Sequence, residues 1–102
     1  MAQAILQINF KFAGSRAEYL EMFRDLAPQI AATPGLRWKV WPWNDEEQMG
    51  GGFYIFEDAA SVQAYLGGPI AAGLGQIPEV SDISVRQFEV LDSLTAITRG
   101  PV

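Results

Sequence analysis

A single stretch of the chain, residues 34–56, alternates between two kinds of side chain and holds all three tryptophans. Its first half reads Pro-Gly-Leu-Arg-Trp-Lys-Val-Trp-Pro-Trp and places two sets of residues on opposite faces of an extended chain: Leu36, Trp38 and Val40 on one, Arg37, Lys39 and Trp41 on the other. Alternation of this kind with aromatic residues indicates a β-strand whose two faces are used differently. The large rings then line either a core or a pocket for a flat molecule.

The second half of this stretch predicts a partner strand. A polar loop over residues 44–49 is followed by three glycines, Gly50 to Gly52, which lead into a strand over residues 53–56. Two strands joined by such a loop are expected to pair as a hairpin. Because glycines have no side chain to pack, these three predict a bulge or the close approach of another group.

The N-terminal third predicts a strand followed by a helix. Two sets of residues alternate over positions 4–12: Leu6, Ile8, Phe10 and Phe12 on one face, and Ile5, Gln7, Asn9 and Lys11 on the other. One face is thus apolar and the other mixed, as in a sheet that is covered on one side only. Ser15 and Glu18 have the spacing of a capping box, so a helix is expected to begin there. Pro28 interrupts its apolar stripe and predicts a kink or a restart.

The remaining residues predict a second helix and a last strand. Asp58 is expected to cap the helix, Gly67-Gly68-Pro69 to end it, and Pro69 to open a short turn over residues 70–74. The strand is expected over residues 82–91, and the tail beyond it is expected to add a short strand or pack on a neighbour. The order β-α-β-β-α-β is the ferredoxin-like α+β arrangement, an antiparallel sheet with both helices on one face. We expect one domain over residues 1–102.

The uncovered face of that sheet needs a partner. It would carry a mixed set of side chains, namely Ile5, Gln7, Asn9, Lys11, Arg37, Lys39 and Trp41. A broad face with an exposed tryptophan is poorly suited to water and well suited to a second sheet. A symmetric homodimer, face to face, is the economical solution.

The composition excludes several classes of function. The chain has 102 residues and a net charge of −5, which argues against nucleic acid or an anionic membrane as the main partner. It has no cysteine and no histidine, so thiolate chemistry, imidazole ligation and the commonest general base are absent. The first residues lack the basic region of a signal peptide, and no apolar run is long enough to span a membrane. A cytoplasmic protein is expected.

Several segments together resemble one known family. They are Pro34-Gly35-Leu36-Arg37-Trp38-Lys39-Val40-Trp41, the run Gly51 to Asp58, Ala64-Tyr65-Leu66, and the tail with Phe88-Glu89-Val90 and Leu94-Thr95-Ala96-Ile97. Over nearly the whole chain they are similar to the YdhR-type mono-oxygenases of the dimeric α+β barrel superfamily. The resemblance implies a homodimer whose sheets form a barrel, with a cavity in each subunit between sheet and helices. Superfamily members also include decarboxylases, dismutases and muconolactone isomerases, so the fold alone decides little.

The characterised cousins of this family include quinone-forming mono-oxygenases that need no cofactor. The resemblance therefore implies a mono-oxygenase that acts on a small aromatic, hydroquinone-like substrate without metal or flavin. Such a site needs an apolar cavity and donors for a phenolate oxygen. Four residues are expected to take part in the chemistry as walls, donors or anchors, namely Trp38, Tyr54, Asn9 and Arg86, and three to bind the substrate, namely Phe10, Phe23 and Tyr65. Relatives tend to carry a histidine after the Tyr-Leu pair, where this chain has Gly67-Gly68-Pro69, so that residue's role does not transfer.

Plainer interpretations stay open. Trp38 can be an ordinary core residue, and Asn9 and Arg86 can satisfy cross-strand contacts. Four residues of the second strand are expected at the dimer interface rather than at a site: Arg37, Lys39, Trp41 and Trp43. Two other functions remain possible for the whole chain: a non-catalytic module that binds a small aromatic molecule in the same cavity, and a structural dimer with a filled core.

Overall fold

The structure, a computed structural model, describes residues 2–102. Its strands are β1 Ala4–Phe12, β2 Leu36–Val40, β3 Trp43–Asn44, β4 Met49–Phe56 and β5 Val80–Glu89. Its helices are α1 Arg16–Arg24, α2 Ala27–Ala31, α3 Ala59–Leu66, α4 Pro69–Leu74 and α5 Asp92–Ile97.

The strands form one antiparallel sheet in the order β2-β4-β1-β5, and β3 extends the pairing along β4. The sheet contributes Leu6, Ile8, Phe10, Phe12, Tyr54 and Phe56 to the core, and the helices contribute Tyr19, Phe23, Ile30, Val62 and Tyr65. The predicted ferredoxin-like α+β fold is therefore confirmed. We refer below to the helix face of the sheet, which carries this core, and to its open face.

Local signals place the helices as expected. The Ser15 hydroxyl accepts a hydrogen bond from the Glu18 backbone N–H, and the Glu18 carboxylate accepts one from the Ser15 N–H, which completes the capping box. The helix restarts at α2 with Pro28 in its first turn, where a missing N–H costs least. The Asp58 carboxylate caps α3, and Pro69 opens α4. All four features agree with the sequence prediction.

The three glycines lie inside β4 rather than before it, and they allow other groups to approach. A β-carbon on Gly50 would fall 2.6 Å from Cζ of Tyr19. Gly51 has a φ of +139°, and a β-carbon there would overlap the backbone carbonyl of Ile8 on the neighbouring strand. The predicted close approach is therefore confirmed, and β4 begins earlier than expected because these residues pair with β1.

A bulge in β2 reverses the faces of the residues that follow it. Leu36 pairs with Phe56 on the helix face, but the register then slips so that Trp38 pairs with Ile55 and Lys39 with Tyr54. A one-residue slip moves every later side chain to the other face. The prediction that Trp38 shares the face of Leu36 is therefore wrong, as is the prediction that Lys39 lies on the open face.

The same reversal places two tryptophans on the helix face of the sheet. Trp41 lies 6.1 Å from Phe23 and Trp43 lies 4.9 Å from Tyr19, both between ring centroids. Both indoles pack against the core. Their predicted place as anchors on the open face is wrong, since the bulge turns the row formed by residues 39, 41 and 43 towards the helices.

The tail forms a helix, α5, and not the short strand that was one of its two predicted alternatives. After α5 the chain crosses to the open face, where the backbone carbonyl of Pro101 accepts a hydrogen bond of 2.9 Å from the Trp38 indole N–H. This contact fixes the tail over one end of the open face. No helix among residues 2–102 combines the length and apolar character needed to cross a membrane.

Candidate functional site

A small cavity of about 30 Å³ lies between the sheet and the helices. Six aromatic rings line it: Phe10, Tyr19, Phe23, Trp41, Tyr54 and Tyr65. This volume is room for about one water molecule. We call this small cavity the aromatic chamber.

Short apolar segments close the side of the chamber that faces away from the sheet. Leu26 and Ile30 contribute from the α1–α2 region, and Ile70, Ala71 and Leu74 contribute from α4. Helix α4 has no fully buried residue and is bounded by glycines, with Gly67-Gly68 before it and Gly75 after it. Because a helix with few buried contacts opens at low cost, α4 is the least firmly held wall.

Three tyrosine hydroxyls occupy the chamber. The Tyr19 oxygen accepts a 3.1 Å hydrogen bond from the backbone N–H of Gly51, and burial raises the pKa of Tyr19 to about 12. The hydroxyls of Tyr54 and Tyr65 lie 3.4 Å apart. Burial raises the pKa of both, with the neighbouring Tyr65 adding to the effect on Tyr54. All three groups stay protonated at neutral pH. The Tyr54–Tyr65 hydrogen bond uses one of the three protons, which leaves two hydroxyls able to donate to an oxygen placed among them.

A lysine amine completes the chamber. The Lys39 Nζ lies 3.3 Å from the Trp41 ring centroid and 4.7 Å from that of Tyr54. Burial lowers the pKa of Lys39 to about 7. Within residues 2–102 this amine has no ion-pair partner. In its protonated form the amine is attracted by the faces of these two rings.

The structure brings together four of the seven residues that the sequence nominated. Phe10, Phe23, Tyr54 and Tyr65 all line the chamber. The other three lie on the open face and not in the chamber: Trp38, which bonds the tail; Asn9, which accepts a 2.8 Å bond from Gln7; and Arg86, which pairs with Gln7 across β1 and β5. The sheet itself separates the two groups.

Sequence reasoning missed Tyr19, Lys39 and Trp41 as members of the chamber. Tyr19 was recognisable in part, because it precedes Phe23 by four residues and so shares its helix face. Lys39 and Trp41 could not be recognised from the sequence, because the direction of their side chains depends on the bulge in β2.

A surface groove of about 470 Å³ lies on the far side of the chamber wall. It shares Tyr19, Phe23 and Trp41 with the chamber and is otherwise lined by Arg16, Leu20, Arg24, Ala27, Pro42 and Trp43. These three rings thus separate the groove from the Lys39 amine. Among the described residues no group of three or more acidic side chains is placed to hold a metal ion.

Comparison with protein families gives one match across almost the entire chain. The family model described as "Putative mono-oxygenase ydhR" matches residues 5–101. No curated protein matches the chain significantly.

Comparison with solved structures confirms the fold. A protein of unknown function from Nitrosomonas europaea, NE2512, superposes with a TM-score of 0.72 at 24% identity, covering 89% of this chain and 91% of that one. A "putative antibiotic biosynthesis monooxygenase" from Deinococcus radiodurans has a TM-score of 0.67 at 12% identity, with 85% and 91% covered. The heme-degrader MhuD from Mycobacterium tuberculosis, solved with two hemes in its active site, has a TM-score of 0.63 at 23% identity, with 85% and 95% covered.

Proposed function

The chain belongs to the ydhR family of mono-oxygenases, and from this membership we propose that it oxygenates a small aromatic, hydroquinone-like substrate without a prosthetic group. The observation that carries the proposal is the aromatic chamber, where three protonated tyrosines and one amine meet in a small space between sheet and helices. An electron-rich phenol that loses its proton can reduce dioxygen directly. The protein then has to hold the phenolate, supply donors for its oxygen and exclude water.

The reaction balances with dioxygen as the only co-reactant. For a naphthol, one molecule of substrate and one of dioxygen give one naphthoquinone and one water. The phenolate passes an electron to dioxygen, and the two radicals combine into a peroxide at the ring carbon opposite the hydroxyl. Loss of the hydrogen at that carbon and cleavage of the O–O bond leave a carbonyl, while the second oxygen departs as water. The ring is oxidised and dioxygen is reduced.

The chamber has to enlarge before such a ring can enter. Two surface pockets of about 290 and 280 Å³ lie against α4, and both are lined by Ile70, which also lines the chamber. Outward movement of Ile70 would join these spaces into a volume typical of ligand sites. We propose that α4, with glycines at both ends, moves to admit substrate.

Oxygen uptake tests the proposed activity. We expect wild-type protein to consume dioxygen with a member of a panel of naphthols and anthrones, and Tyr54→Phe to lose at least about 10-fold in kcat/KM because one buried donor is removed. Ser93→Ala removes an exposed hydroxyl on α5 and is the matched control, expected to keep full turnover. Uptake no faster than in buffer for the whole panel would rule out the activity.

A non-catalytic binding function is the second candidate, and the groove favours it. The groove is already large enough for a bicyclic ring, has indole walls, and its charged groups are the guanidinium groups of Arg16 and Arg24. Saturable quenching of tryptophan fluorescence by the same compounds, without oxygen uptake, would support binding alone.

We also propose that the chain forms a homodimer through the open face. That face exposes Val40, Phe53 and Phe88, whose side chains are 54%, 39% and 46% accessible. Apolar residues in such number on one sheet suit a second copy of the same surface.

A charge placed on the open face tests the dimer. Phe53→Glu puts a carboxylate at the centre of the proposed interface, and we expect the dissociation constant to rise at least about 100-fold because a buried charge would lack a partner. Leu20→Glu, at an exposed site on α1 away from the open face, is the matched control and should stay dimeric. Sedimentation velocity at micromolar concentration separates the two, and a monomeric wild type would refute the dimer.

A further inference from the structure

We propose that Lys39 is the general base of the chamber: its amine takes the hydroxyl proton of a phenolic substrate and so starts the reaction with dioxygen. This role rests on the proposed function, which needs a base that a chain without histidine or cysteine must find elsewhere. Lysine is the residue that most readily serves when its amine is removed from water.

The first support is the position of the amine. Lys39 pairs with Tyr54 across β2 and β4, so its side chain enters the layer between sheet and helices. The methylene chain of Lys39 packs over Gly52. A β-carbon on Gly52 would fall 2.5 Å from Lys39 Cε and 2.7 Å from Tyr54 Cε1. Glycine at this position thus provides the space through which the lysine reaches the chamber.

The second support is the electrostatic surroundings of the amine. The titratable groups that face it are all tyrosines: Tyr19 from α1, Tyr54 from β4 and Tyr65 from α3. Helices α2 and α4 contribute only apolar side chains to the chamber, and Arg16 and Arg24 line the groove beyond Trp41. No carboxylate of residues 2–102 forms an ion pair with the amine, and burial lowers the pKa of Lys39 to about 7. Burial therefore favours the free amine at neutral pH.

The third support is that the amine stays reachable. Every fully buried side-chain nitrogen among the described residues has a hydrogen-bond partner. Lys39, in contrast, makes no ion pair. The unbonded Nζ must therefore keep some accessible surface, and it faces the chamber that it lines. A ligand hydroxyl in the chamber can thus meet it directly.

The proton then has a defined course. The O–H bond of the phenol breaks, a bond from Nζ to hydrogen forms, and the ammonium rests on the faces of Trp41 and Tyr54. The phenolate left beside it is the electron donor to dioxygen. When the peroxide collapses, the proton on Nζ leaves in the water that is released, and the free amine is restored. No further oxidant or reductant is required.

Nuclear magnetic resonance tests the state of the amine without any substrate. The chain has two lysines, Lys11 and Lys39, so protein labelled with ¹³C and ¹⁵N in lysine gives two side-chain signals, assigned with the Lys11→Arg variant. We expect the Lys39 signal to titrate near pH 7. Titration close to its ordinary value of 10.5 would overturn the proposal while leaving the proposed function intact.

Kinetics test the role of the amine. Lys39→Met keeps the length of the side chain and removes the base, and we expect kcat/KM to fall at least about 100-fold. The acidic limb of the wild-type pH profile, near pH 7, should disappear in this variant. Lys11→Met, on an exposed site of β1, should leave both the rate and the profile unchanged.

The outcomes separate the two proposals. Wild-type turnover with unchanged kcat/KM and an unchanged acidic limb in Lys39→Met would overturn the base and retain the mono-oxygenase. Absence of turnover in the wild type would overturn the mono-oxygenase and the base together. Circular dichroism of Lys39→Met, together with its retained tryptophan fluorescence, distinguishes a lost base from a lost fold.

Discussion

Gly51→Ala is expected to destabilise the protein by about 4 kcal/mol. Gly51 holds a φ of +139°, which costs an alanine about 1–3 kcal/mol in strain. Its β-carbon would also overlap the Ile8 carbonyl in the middle of the sheet, and separation of the strands would add about 1–3 kcal/mol. The Gly51 N–H donates to Tyr19, so the chamber would be disturbed as well. Urea denaturation measures the difference.

A second glycine in the same chain provides the matched control. Gly73 lies inside α4, and a β-carbon there would meet no atom within 4 Å. Alanine has the higher helix propensity, so Gly73→Ala is expected to raise stability by up to about 1 kcal/mol. Equal stabilities for the two variants would show that the approach of β4 to β1 at Gly51 is looser than the structure indicates.

The fold could be predicted because its signals are local. The alternation over residues 4–12, the capping box at Ser15 and the cap at Asp58 each depend on residues within a few positions of one another. Pro28 and Pro69 act through their own backbone and so also marked the helix boundaries correctly. The tail was harder, because α5 has no side-chain cap and none of its residues is buried.

The chamber could be predicted only in part because its membership depends on one bulge. Two alternating rows of residues 38–43 compete for the core, one containing Trp38 and Val40 and the other containing Trp41 and Trp43, and both carry large apolar side chains. Nothing in the local sequence decides between them. The decision comes from β4, where Gly52 leaves space for Lys39 and Tyr54 lies opposite it. That is a contact between distant positions, which periodicity does not report.

The size of the chamber could not be predicted from the sequence either. Phe10 and Tyr54 were recognisable as ring residues on apolar faces, but whether rings fill a space or line it depends on how side chains from several elements interdigitate. The observed chamber of about 30 Å³ lies between the two alternatives that the sequence left open. It is neither a preformed ligand site nor a solid core, and this is why access to it depends on α4.

Lys39→Met is expected to raise the free energy of unfolding by about 3 kcal/mol at pH 7. Folding lowers the pKa of Lys39 from its ordinary 10.5 to about 7, and each pKa unit carries about 1.36 kcal/mol. The expected change is smaller than the free energy of the whole pKa shift because the amine keeps some contact with water. Methionine fills the same space without that cost, and its thioether packs well on the Trp41 and Tyr54 rings. Functional sites commonly contain groups that lower the stability of the fold.

The pH dependence of stability identifies the cause. Between pH 7 and 10 the unfolded chain binds one more proton at Lys39 than the folded chain, so wild-type stability should rise with pH across this window. The slope should vanish in Lys39→Met and persist in Lys11→Met, whose exposed site is expected to change stability by no more than about 0.5 kcal/mol. Above pH 10 the raised pKa of Tyr19 reverses the trend, because the folded chain then holds the extra proton. Urea denaturation at half-unit steps from pH 6.5 to 9.5 separates the variants, and a wild-type stability that is flat over this range would mean that the Lys39 amine is not desolvated by the fold.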